Sequence, residues 1–185
     1  MATQAERGRE VRAKLLVAAT ELVPERGWTA VSTRVLAERA GVAPSVVHYH
    51  FPSLRVLLNE AVLGAVRQVL AGLDGVLAAA DSPGEAVGAL LASLEAHDGA
   101  DPTSLLFVEA YLAATRDEEL RGELAGAVEE FRQRLADWLR VRGVPAPGDT
   151  AAVLAAAVDG LLLHRGLGIQ PQAAVVLRRL VGEAR

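Results

Sequence analysis

Cysteine is absent from the 185 residues, so the chain forms no disulfide and offers no thiolate to a metal. Aromatic residues make up 4% against 51% hydrophobic residues in all. The core must therefore be built from Ala, Leu and Val, which favours packed helices. Lysine occurs once, at Lys14. No basic-then-apolar leader opens the sequence, and charged residues or glycine interrupt every long apolar run, so a soluble cytoplasmic protein away from the membrane is expected. Strand-like alternation and internal repeats are both missing. There is no glycine-rich phosphate loop and no nucleophile elbow. His48 and His50, two apart on a helix, point to nearly opposite sides, with no carboxylate beside them at ligand spacing. No catalytic residue, metal or cofactor is expected.

What is present is concentrated between Val31 and Leu57. Ser32 or Thr33 can cap a first helix whose apolar face is Leu36, Ala37 and Ala40. Gly41 stands where a helix end needs a left-handed residue, and Val42 can pack back beneath it. Ala43 and Pro44 open a second helix, with proline at a first-turn position where its missing N–H costs nothing. Two helices joined by a short glycine turn follow the helix-turn-helix plan, although an ordinary helical hairpin has the same geometry.

The residues decide between them. Thr33-Arg34-x-Leu36-Ala37-x-x-Ala40-Gly41-Val42, then Val47-His48-Tyr49-His50-Phe51 and Pro52-Ser53, closely resembles the DNA-binding domain of the TetR family of bacterial repressors. The resemblance carries specific motifs over about residues 8–57 and continues beyond as a length and helix pattern. It implies an all-α protein, with a helix-turn-helix DNA-binding domain at 1–53 and a larger helical effector-binding and dimerisation domain at 54–185. The implied function is a homodimeric repressor on a roughly palindromic operator in double-stranded DNA, released by a small lipophilic effector. Positions matching the family's DNA contacts are Thr33, Arg34, Pro44, Ser45, Val46, His48, Tyr49 and His50. Among them Arg34 suits a bidentate guanine contact, while Thr33 and Tyr49 suit phosphate. The family's usual lysine at the start of the long helix is replaced by Leu54, with Arg55 the adjacent substitute.

Charge distribution agrees. Residues 1–55 hold eight basic and five acidic side chains, on a chain whose net charge is −4. A basic end on an acidic body orients the molecule toward a polyanion.

Helices are expected at about 8–25, 54–80, 83–96, 103–115, 117–141, 149–165 and 171–184. The 149–165 segment is apolar almost all round, which calls for cover on more than one side. A second subunit can supply it, with Val158, Leu162, Leu177 and Leu180 at a four-helix contact. The resemblance also implies an effector cavity in the helical body. Candidates to line it are Phe107, Glu109, Tyr111, Thr115, Trp138, Asp159 and His164. Glu109 and Asp159 stand out, because a carboxylate among apolar neighbours needs a partner. Two other readings keep the helical fold: a DNA-binding module without a small-molecule ligand, and a helical-bundle enzyme.

Overall fold

The structure is a computed structural model that describes residues 3–170 and 172–182. Among them the regular elements are all helical: α1 Gln4–Arg26, a 3-10 turn Trp28–Ala30, α2 Thr33–Ala40, α3 Pro44–His50, α4 Leu54–Ala79, α5 Pro83–Glu95, α6 Pro102–Ala114, α7 Glu118–Val141, α8 Pro147–Gly166 and α9 Ala174–Leu180. The helix expected over 171–184 is therefore shorter, and its expected limits at Pro171 and Ala184 lie outside the described residues.

Local chemistry sets most boundaries. α1 starts four residues before the expected Gly8, because Thr3 and Glu6 form a reciprocal capping box. Ser32 accepts the Val35 N–H to start α2, and Ser82 accepts the Glu85 N–H to start α5. Asp101 accepts the Thr103 and Ser104 N–H groups ahead of α6. α8 begins at Pro147, two residues before the expected start at 149, with proline in its first turn.

The chain condenses into two compact units. Among the described residues one comprises 3–66 and 105–123, the other 67–104 and 124–182. The unit that holds α1 to α3 also takes in the first half of α4, most of α6 and the start of α7.

Within the first unit α1 packs on α2, and α2 on α3. Leu15, Ala18, Ala19 and Leu22 of α1, Leu36 and Ala37 of α2, Val47 of α3 and Phe51 behind it are buried, as are Leu57, Leu58, Ala61 and Val62 of α4. Spacings of three and four in α1 and α4, and the four between Val47 and Phe51, put these side chains on one apolar face. α4 is long and apolar enough to cross a membrane by length and composition alone. Part of its apolar surface is covered: its first half supplies the buried residues just named, and Leu77, with Leu70 and Leu73, joins the core of the second unit. That second core is completed by Val87 of α5, Phe131, Leu135 and Leu139 of α7, Leu154 of α8 and Leu177 of α9.

Candidate DNA interface

The candidate surface is made by α2, a glycine turn and α3. Gly41 sits at φ 68° and ψ 35°, left-handed as the turn requires, and the Val42 N–H returns to the Ala37 carbonyl at 3.0 Å. Pro44 then occupies the first turn of α3. Val47 and Phe51, four apart, are buried and fix which face of α3 points outward. On the outward side Arg34, Pro44, Ser45 and His48 are exposed, and Tyr49 is 83% exposed. Thr33, Val46 and His50 are half-buried. His50 meets Tyr49 edge to face at 5.1 Å and lies against α1, with its Cε1 3.9 Å from where a Cβ on Gly8 would sit.

Ion pairs sort the positive charges. Arg12 pairs with Glu60, Lys14 with Glu10, and Arg39 with both Glu21 and Glu25. The Arg39 bridge ties the end of α2 to α1. Arg34 makes no such pair among the described residues, and neither do Arg7 and Arg9, which flank Gly8 beside His50. Both belong to the basic end counted in the sequence, but Arg7 fell outside the helix expected from residue 8. The T-x-x-E capping box at Thr3 was the signal that would have extended α1 past them.

Arg55 needs correction as a phosphate grip. Its guanidinium is held by Asp117 at 3.1 Å and Glu119 at 2.8 Å. Asp117 also accepts from the Asn59 amide and the Leu120 N–H, and these donors, Asn59 first, then Leu120, with the Arg55 charge adding to them, hold its carboxyl at about 2. Arg55 is thus a strut between α4 and α7 inside its own unit. Ser53, whose hydroxyl accepts the Val56 N–H, caps the α4 start that Leu54 opens.

The seven effector candidates fall into two groups. Phe107, Glu109, Tyr111 and Thr115 belong to the first unit, and Trp138, Asp159 and His164 to the second. Glu109 is already partnered, since its carboxylate accepts the Trp28 backbone N–H at 2.8 Å, so it is not an orphan awaiting a ligand. Thr115 returns its hydroxyl to the Leu112 carbonyl, and Tyr111 is 71% exposed. Trp138 packs on the second core with the Arg142 guanidinium 3.6 Å from its ring centroid. Asp159 differs from the rest. It is accessible, yet the surrounding protein desolvates its carboxyl enough to push its pKa up from the ordinary value. His164 is exposed near the end of α8.

The dimer candidates also need one correction. Leu177 is buried in the core of its own unit and has no surface left for a second subunit. Val158 and Leu162 are half-buried and Leu180 is exposed, alongside Val153, Leu163, Val175 and Val176, which are each at least half exposed.

Comparison with known proteins identifies what this two-helix surface belongs to. Residues 15–61 match bacterial regulatory proteins of the tetR family, and residues 81–184 match the tetracyclin repressor-like C-terminal domain. The transcriptional regulator BetI of Rhizobium meliloti is 34% identical over 167 residues, covering 87% of this chain and 81% of its own. A transcriptional regulator of Streptomyces coelicolor A3(2) superposes with a TM-score of 0.75 at 29% identity, over 94% of this chain and 99% of that one. The multidrug binding protein EbrR, complexed with imidazole, superposes with a TM-score of 0.67 at 29% identity, over all of this chain and 99% of its own. BetI and the Streptomyces protein are transcriptional regulators, not enzymes. With a capped α2, a left-handed glycine turn and a proline-opened α3 in the matched segment, the chain belongs to the TetR family of transcriptional regulators.

Proposed function

We propose that this regulator is a cytoplasmic, homodimeric repressor that reads a roughly palindromic operator through α2 and α3 and leaves it when a small lipophilic cation binds. The observation that carries the DNA reading is the outward face of α2 and α3, where Arg34, Ser45, His48 and Tyr49 are exposed and Arg34 makes no ion pair among the described residues. A two-fold dimer places two such faces in successive major grooves, about 34–36 Å apart or a multiple of that. The exposed apolar side chains of α8 and α9 support self-association, because large apolar side chains in such number are costly to leave in water.

The test is to select DNA fragments retained by the wild-type protein and repeat the selection with Arg34→Ala. The substitution should cost about 1–3 kcal/mol on the best site and relax preference at one base position per half-site. An unchanged motif would remove Arg34 from base reading, and retention of no fragment would sink the DNA reading itself.

Asp159 supports the effector class. A carboxylate held in partly desolvated surroundings gains from a cation that brings little water with it. EbrR, 27% identical with a TM-score of 0.63, has also been seen with malachite green, a lipophilic cation. Malachite green should release the operator fragment, and Asp159→Asn should raise the dye concentration needed by on the order of tenfold, the worth of one charged contact. A dye equally potent on wild type and variant would free Asp159 of this role. An operator complex indifferent to the dye and to other apolar cations would favour a module without this class of ligand.

A further inference from the structure

We infer that Glu109 is a positioning residue for DNA recognition: by accepting the Trp28 N–H it fixes the corner from which α2 departs. The inference rests on the reading that α2 and α3 contact DNA. α1 ends at Gly27, at φ 81° and ψ 151°, and the chain must reverse through the turn Trp28–Ala30 before α2 begins at Thr33. The first N–H of such a turn has no partner within it, and no side chain caps this one locally. Glu109 supplies the missing acceptor from α6, 81 positions along the chain. Its Oε1 also lies 3.6 Å from where a Cβ on Gly27 would sit, so the carboxylate is laid along the corner, against a residue with no side chain to hold it off.

Packing alone holds this corner loosely, because none of Trp28, Thr29 and Ala30 is fully buried. The base from which Glu109 reaches is firm. Leu106, Ala110 and Ala114 on the same helix are buried, and Asp117 just beyond is tied to Asn59 and Arg55 of α4. α2 is thereby held near its start by Glu109 and at its end by Arg39, which bridges to Glu21 and Glu25 of α1. Thr33 and Arg34 stand only a few residues beyond the Glu109 contact, so a rotation at the corner displaces them directly. A substitution at Glu109 then changes DNA affinity although the side chain touches no DNA.

The experiment compares wild type, Glu109→Ala and Glu109→Gln on a DNA fragment selected by the wild type, at a temperature where circular dichroism shows all three folded. Glu109→Ala should bind about tenfold more weakly, the worth of one hydrogen bond to a charged group. Glu109→Gln, whose amide oxygen can accept the same bond, should stay within about threefold of wild type. In a Trp138→Phe background the remaining indole is Trp28, and its emission should shift in Glu109→Ala and not in Glu109→Gln. A merely structural bond would give the same order in melting temperature but leave the DNA affinity of the folded variants at the wild-type value. Should Glu109→Ala fail to fold, Glu109→Asp replaces it, since its carboxylate falls one methylene short of the Trp28 N–H. Wild-type affinity in the shortened or truncated variant, or a Glu109→Gln as weak as Glu109→Ala, overturns the inference while leaving the DNA reading in place. A wild type that selects no DNA removes both.

Discussion

Gly99→Ala is expected to lower the melting temperature by roughly 10 °C, from a loss of about 3–5 kcal/mol. Gly99 lies in the loop between α5 and α6 and is buried at φ 81°, a backbone conformation that costs an L side chain about 1–2 kcal/mol. A Cβ there would stand 2.2 Å from the Gly166 nitrogen and 2.6 Å from the Leu162 carbonyl oxygen. Both are backbone atoms of α8, which cannot rotate aside as a flexible side chain would. Seating a methyl group means parting the loop from the helix.

The neighbouring polar contacts would go with it. Arg165 donates to the His97 carbonyl at 3.4 Å, and the His97 ring meets Asp101 at 3.1 Å. Burial by itself would raise the Asp101 carboxyl, but the Ser104 hydroxyl and amide, with His97, outweigh it and hold the group at about 2. A depressed carboxyl stabilises the fold fully above its unfolded value near 4, and that contribution is lost as pH falls through 2. Gly160→Ala is the control, because Gly160 lies within α8 and a Cβ there meets nothing within 4 Å. It should be neutral or stabilise by about 0.5–1 kcal/mol. Thermal unfolding followed by circular dichroism separates the two, and equal melting temperatures would refute the close approach.

The second large effect is expected from Phe51→Ala, a loss of about 3–5 kcal/mol together with operator binding. Phe51 follows α3 directly and is 2% exposed. Its N–H closes α3 on the Val47 carbonyl at 2.9 Å, and the Arg12 guanidinium lies 4.7 Å from its ring centroid. Arg12 also pairs with Glu60, so the same ring sits beneath a contact joining α1 to α4. Removing it leaves a cavity under a helix of seven residues, too short to persist in water without tertiary support. Tyr49→Ala is the complementary change. Its ring is largely in solvent, so stability should move by no more than about 0.5 kcal/mol while DNA affinity falls. Melting of Phe51→Ala at the wild-type temperature would show that the ring is not what seats α3.

The contrast between these residues shows where the sequence was sufficient. Ser32, Gly41, Pro44 and the spacing of Val47 and Phe51 act within one or two helical turns, so the limits of α2 and α3 and the outward face of α3 were legible from neighbours alone. The same locality made the family pattern readable and the all-helical class plain from an Ala, Leu and Val core. Long-range partners were not legible. Sequence showed that a carboxylate at Glu109 needed company, but nothing in it could select a backbone N–H 81 residues away over a ligand. Arg55 was equally undetermined, because an exposed arginine at a helix start serves phosphate or carboxylate alike, and only folding brought Asp117 and Glu119 to it. In α9 the run Ala174-Val175-Val176-Leu177 is apolar without a period, so the burial of Leu177 and the exposure of Val175 and Val176 waited on how the helix was rolled against α5. Capping, turn chemistry and periodicity are written in the order of residues. Which charge meets which, and which apolar side chain is left for a partner, are decided by distances that exist only after the chain has packed.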